Sequence, residues 1–126
     1  MKKNVFMVLR ILLGLVFLIF GANKFFPFLP MPEMAEGPGK DFMMALGATG
    51  YMFYLIGAVE VIGGIRLVLN KCVPQALLLL APVVLNIFLY HTFLDASGFL
   101  TTAILTFIYI VLIYDNWKTV KPCLLP

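Results

Sequence analysis

Glu60 stands at the centre of the apolar run 51–69, YMFYLIGAVEVIGGIRLVL. An ionisable side chain at mid-bilayer depth costs several kcal/mol unless it is paired or neutralised. Glu60 therefore either carries a proton or meets a cation, and a carboxylate in that setting can anchor a ligand or relay protons. The other residues able to join such chemistry are few. Arg10 and Lys24 lie in and just after the first apolar run. Asn86 and His91 lie in a third run, with Asp95 four residues beyond His91. A single His and no nearby Cys cluster give no expectation of a metal centre, and no second buried His exists for bis-His haem ligation. No Gly-rich phosphate loop or nucleophile elbow is present. No intrinsic cofactor is expected.

The elements that must position these groups follow from composition. The chain has 126 residues, of which 63% are hydrophobic and 12% charged. A soluble domain carries about twice that charge fraction. A helical span needs roughly 20 apolar residues, so the sequence predicts an all-α, antiparallel four-helix bundle in a membrane. It forms one transmembrane domain over 1–126, with spans near 5–23, 51–69, 73–94 and 99–114. The first run follows Met1-Lys2-Lys3 but lacks a signal-peptide cleavage pattern, and is read as a retained span. The connection 24–50 is long, apolar and Pro-rich, with Pro27, Pro30 and Pro32 excluding a regular helix early on. Gly37-Pro38-Gly39 predicts a turn, and Asp41 a cap for a short helix over 42–46. Pro82 should kink the third span and free the carbonyl of Leu78. Residues 115–126 read as a short tail with an interfacial Trp117.

Lysines set the orientation. Lys2, Lys3, Lys71, Lys118 and Lys121 gather at one side, with Arg10 and Arg66 leaning toward it. Lys24 and Lys40 face Glu33, Glu36, Asp41 and Asp95 at the other. Both termini are expected in the cytoplasm of a bacterial inner membrane, and the long loop outside. Cys72 and Cys123 then sit on the reducing side as unrelated thiols, or form a redox pair if the fold brings them together. The net charge of +3 gives no expectation of nucleic acid, because the lysines mark segment ends.

Helical spacing assigns faces. Arg10, Gly14, Phe17, Gly21 and Lys24 share one stripe of the first span; Phe53, Gly57, Glu60, Gly64 and Leu67 share one of the second. Small residues on such seams let helices approach closely. Glu60 should face the first span, with Arg10 as partner and Asn86 as neighbour, and should be ionised rather than protonated. Arg66 points away and snorkels. Two polar layers are expected: Arg10–Glu60–Asn86 in the middle, and Lys24–His91–Asp95 nearer the outer mouth. Each has a bland counterpart, since a buried Arg–Glu pair can simply fix helix register and His91 can be an imidazole held by Asp95.

The segments RILLGLVFLIFGANKF and GAVEVIGGIRLVL, followed by a third span with polar residues and a His near its end, resemble the DoxX family of small four-helix bacterial membrane proteins, related to the DoxD and MauE-like groups. Arg10, Gly14, Gly21, Lys24, Glu60, Gly63 and Gly64 carry the resemblance, and Asn86 and His91 match more loosely. The resemblance implies a membrane subunit of a quinone-linked redox system. Glu60, Asn86, His91 and Lys24 are then the candidate ligand-binding residues, with Arg10–Glu60 as a structural pair. Candidate partners are the lipid bilayer, a quinone or prenyl lipid, a soluble or membrane redox protein and a second copy of the chain. The alternative is a non-catalytic scaffold or assembly factor, suggested by small size and by glycine seams suited to helix contacts. A solute transporter is disfavoured, because no inverted repeat stands out.

Overall fold

The computed structural model describes residues 2–29 and 34–124. Pro30, Pro32 and Glu33, invoked above for the loop and the charge balance, lie outside the described residues. Every regular element described is helical. Among the described residues, four helices are long and apolar enough to cross a membrane, over Lys2–Phe25, Met52–Leu69, Val73–Leu94 and Ala96–Asp115.

Helix α1, Lys2–Phe25, has 24 residues, about 36 Å of helix at 1.5 Å per residue. It ends just before Pro27, where the Asn23 side chain accepts hydrogen bonds from the Phe28 and Leu29 amides, each at 2.9 Å. Helix α2 runs over Pro38–Ala48. The sequence reading of 42–46 capped by Asp41 was too short. Pro38 occupies the first turn, which its fixed φ suits, Gly37 precedes it at φ 152°, and Asp41 sits inside the first turn without capping it. Gly47 does not stop the helix. The Thr49 hydroxyl closes it instead, donating to the Leu46 carbonyl at 2.7 Å and accepting from the Met52 amide at 3.0 Å.

Helix α3 is Met52–Leu69. Asn70 and Cys72 both take left-handed conformations, φ 56° and 53°, and so turn the chain sharply into α4, Val73–Leu89, which holds Pro82. The third span does not finish as an α-helix. Tyr90–Leu94 widen into a π-helical turn, closed by the Asp95 amide donating to the Tyr90 carbonyl at 3.0 Å. A 3₁₀ turn, Ala96–Gly98, leads into α5, Phe99–Asp115. The expected tail is in fact a helix, α6, Trp117–Leu124, with Val120 buried. An apolar residue spaced between Trp117, Lys118 and Lys121 gives this segment two faces, and the inner one docks against α4 and α5.

The four long helices close into a ring in the order α1, α3, α4, α5. The tightest contact is α1 on α3. A Cβ built on Gly14 would lie 2.8 Å from the Gly64 carbonyl, and one on Gly21 would lie 2.9 Å from the Gly57 carbonyl. These seams bring backbone against backbone, as small residues allow in membrane helices. Gly63, next to Gly64, serves α4 instead, with a built Cβ only 2.7 Å from Leu80 Cγ. The solid core, including Leu13, Leu67, Ala76, Leu77, Leu80 and Leu112, fills the half of the ring nearer Cys72. There the Tyr109 hydroxyl donates to the Leu77 carbonyl. The outer surface is apolar, with Val5, Leu12, Leu85, Phe107 and Ile110 among its exposed residues, as a lipid-facing surface requires.

Candidate functional site

The half of the ring nearer Asp95 is hollow. A cavity of about 530 Å³ lies between the end of α1, the start of α3, the end of α4 and the start of α5. Phe17, shared with the core, and Val83 form part of its wall, and Phe42, Met43 and Leu46 of α2 cover it. Helix α2 is held in place by the π turn. A Cβ on Gly39 would stand 2.9 Å from Asp95 Cβ and 3.2 Å from the Leu94 carbonyl oxygen, and the Phe42 and Tyr90 rings lie 5.8 Å apart. Only a glycine in the first turn of α2 lets the roof sit this low.

Glu60 is buried, with 4% of its side chain exposed, and its Oε1 lies 2.8 Å from Lys24 Nζ. The predicted Arg10–Glu60 pair does not form. The glycine seam decides the matter. Glu60 Cβ lies beside Gly21, and Lys24 follows Gly21 by one turn, whereas Arg10 precedes it by about 16 Å of helix. Lys24 Nζ also approaches the Phe20 carbonyl at 3.5 Å. Its side chain therefore runs back toward the start of α1, the direction in which helical side chains lean, and this carries the ammonium down to the carboxylate. Arg10 has a different task. Its guanidinium donates to the Leu67 and Val68 carbonyls in the last turn of α3, where a cation also suits the helix dipole.

The outer layer Lys24–His91–Asp95 is likewise rearranged. Lys24 turns inward to Glu60. His91 meets Asp95 through the backbone, with Nδ1 3.0 Å from the Asp95 carbonyl oxygen. The Asp95 carboxylate instead accepts from the Ser97 hydroxyl at 2.6 Å and amide at 3.0 Å. These bonds hold the Asp95 carboxyl below its ordinary range. The expected hydrogen bond from Asn86 to Glu60 is not made; Asn86 is exposed to the cavity across from the ion pair.

Lys24, Glu60, Asn86 and His91 thus line one cavity, and Arg10 and Asp95 do not. The reading from sequence passed over Thr101, Thr102 and the α2 side chains, which also line it. The adjacent threonines were the one signal available, since they are the first polar residues of an otherwise apolar span. Among the described residues no group of His, Cys, Asp and Glu side chains is arranged to hold a metal ion. Chemically, the cavity offers an ion pair, an amide, an imidazole and the hydroxyl-bearing side chains of Tyr90, Thr101 and Thr102, inside otherwise apolar walls. That suits a ligand with a small polar head and an apolar body.

Among the described residues, four helices of membrane-spanning length and composition define a multi-pass membrane protein. The chain belongs to the DoxX family, whose model matches residues 5–92. That stretch takes in Lys24, Glu60, Asn86 and His91 and leaves out α5 and α6. No curated protein and no solved structure matches the chain.

Proposed function

We propose that the cavity binds the head group of a quinone or related prenyl lipid, and that the protein serves as the membrane subunit of a quinone-linked redox system. The observation that supports this most is the Lys24–Glu60 pair, set in the wall of a largely apolar cavity of about 530 Å³ in the half of the ring nearer Asp95. Such a volume falls in the range of small-molecule sites, roughly 300–1,000 Å³, and a head group there meets a cation, an amide and an imidazole. The chain brings no redox centre of its own to this reading, so the electrons pass between the quinone and a partner protein. The scaffold alternative drew on glycine seams free to contact a partner. In this fold Gly14, Gly21, Gly57 and Gly64 are spent between α1 and α3.

Protein purified in nanodiscs is expected to bind a short-tail benzoquinone. Glu60→Gln, which turns an ion pair into a weaker cation–amide contact, is expected to weaken it by about tenfold or more, since hydrogen bonds to charged groups contribute about 1.5–3 kcal/mol. Titration followed by quenching of intrinsic fluorescence measures this. Unchanged affinity in Glu60→Gln, Asn86→Ala and His91→Ala rules the cavity out as the site.

The same reading places the protein in a bacterial cytoplasmic membrane with both termini inside, on the strength of Lys71, Lys118 and Lys121 at the end away from the cavity. Cys72 and Cys123 are free and exposed at that end and serve as native reporters. A membrane-impermeant maleimide is expected to leave both unlabelled in intact cells and to label both after permeabilisation. Labelling of Cys72 or Cys123 in intact cells reverses the assignment.

A further inference from the structure

The polar groups of the cavity differ in which hydrogen-bond role they can play. The Lys24 ammonium can only donate, the Glu60 carboxylate that it pairs with can only accept, and the Asn86 amide and the hydroxyls of Tyr90, Thr101 and Thr102 can do either. His91 is fixed by its neighbour. Its Nδ1 lies 3.0 Å from the Asp95 carbonyl oxygen, and a carbonyl oxygen can only accept, so Nδ1 carries the proton. In the neutral ring Nε2 is then a bare lone pair, an acceptor.

The ring is also wedged. A Cβ built on Gly98 would lie 2.7 Å from His91 Cε1 and 3.0 Å from Nδ1, so the 3₁₀ turn presses on one side of it. The Tyr90 ring meets it edge-on, with centroids 4.9 Å apart and planes at 86°. Turning the ring over would replace Nδ1 by carbon at the Asp95 carbonyl and leave that oxygen without its donor. The π turn matters here because it sets the Asp95 carbonyl over the ring one turn on from His91.

We propose that His91 is a specificity-determining acceptor, and that the cavity binds the hydroxyl-bearing quinol in preference to the quinone. This rests on the reading of the cavity as a prenyl-quinone site. Every head-group oxygen of a quinone is an acceptor and meets the Nε2 lone pair with nothing to share. A quinol hydroxyl donates to Nε2, and an oxygen elsewhere on the same head group accepts from Lys24. The preference concerns binding alone, with no bond made or broken. A site that matches a hydroxyl discriminates against the analogue without one, because its own buried group is left unpaired.

The test uses the full chain, tag-free, in nanodiscs. Its single histidine gives one pair of imidazole resonances after ¹⁵N-histidine labelling. In alkaline buffer, Nδ1 is expected protonated and Nε2 bare. The probe is a decyl-chain benzoquinone, oxidised or reduced by dithionite under argon. The quinol is expected to bind about tenfold more tightly than the quinone, and to shift the Nε2 resonance as it accepts a hydrogen bond. His91→Gln offers an amide that both donates and accepts, and is expected to bring the two affinities together while the melting temperature stays close to that of the parent. A ring protonated at Nε2 overturns the proposal even where both forms bind. Equal affinities, or tighter quinone binding, overturn the preference and leave the quinone site standing. Binding of neither form overturns both readings.

Discussion

Replacing Lys24 by Met is expected to destabilise the protein more than any other single side-chain change at the site. The substitution leaves the Glu60 carboxylate buried, with only 4% of its side chain exposed, and with no cation in reach, since Arg10 is committed to the end of α3. Removing one partner of a buried pair costs about 3–5 kcal/mol, because the survivor is an uncompensated charge. Glu60→Gln should cost less. The Lys24 side chain, 24% exposed, is long and flexible, and its ammonium can withdraw toward the cavity mouth. The double variant Lys24→Met/Glu60→Gln is expected near the Glu60→Gln single, since no charge is left stranded. Thermal unfolding of the four proteins in one detergent orders them, and the double-mutant cycle isolates the coupling. Protonation removes an unpaired carboxylate's charge, so the deficit of Lys24→Met is expected to shrink in acid. A Lys24→Met protein as stable as Glu60→Gln, at neutral pH, would mean that the ion pair does not organise the cavity.

That prediction turns on a partner that the sequence misassigned, and the reason is physical. The seam residues were legible, because Gly14, Gly21, Gly57 and Gly64 recur at helical spacing and their stripe carries Glu60. The face was therefore right. The register was not, because hydropathy gives the middle of a span only to within a turn or two, and Glu60 meets α1 at Gly21, about two turns beyond the middle of that span, which brings Lys24 rather than Arg10 within reach. Gly14 against Gly64 and Gly21 against Gly57 fixes the register to the residue, and that contact is visible only in three dimensions. The π turn at Tyr90–Leu94 escaped for a related reason. Its widening comes from how Asp95 and Ser97 close the chain after it, not from any helix-breaking residue inside it. The roof was half legible: a short helix was read over 42–46, but Pro38, which opens it, was read as part of a turn, and nothing in the sequence said that Gly39 would let α2 rest on Tyr90 and Leu94. The hollow itself has no sequence signature. It exists because the bulky core residues cluster toward one end of the ring, while the other end carries Lys24, Asn86 and His91 and is covered by α2.

Gly64→Ala is expected to separate α1 from α3 and with them the ion pair. A methyl group there would stand 2.6 Å from the Gly14 carbonyl oxygen and 2.7 Å from the Leu18 amide nitrogen. Both are backbone atoms of a regular helix, so neither can swing aside as a side-chain tip would. Alanine gains up to about 1 kcal/mol of helix propensity over glycine, while overpacking costs about 1–3 kcal/mol and occasionally more. Contact with backbone on both flanks puts this position at the upper end, and the clash wins. Gly47→Ala supplies the opposite case. It lies in α2, where the nearest atom to a new methyl is an edge carbon of the Phe53 ring at 3.4 Å, so propensity should dominate and stability hold or rise. The two substitutions are chemically identical, which leaves packing as the only difference between them. Because one seam sets both the helix spacing and the 2.8 Å approach of Lys24 to Glu60, Gly64→Ala should also weaken quinone binding, although Gly64 lines no part of the cavity. A lowered melting temperature with full quinone affinity would show that α1 and α3 can part at the core end while staying closed around the site. In that case Gly21 and Gly57, which flank Glu60 directly, hold the pair on their own, and Gly21→Ala becomes the substitution that breaks it.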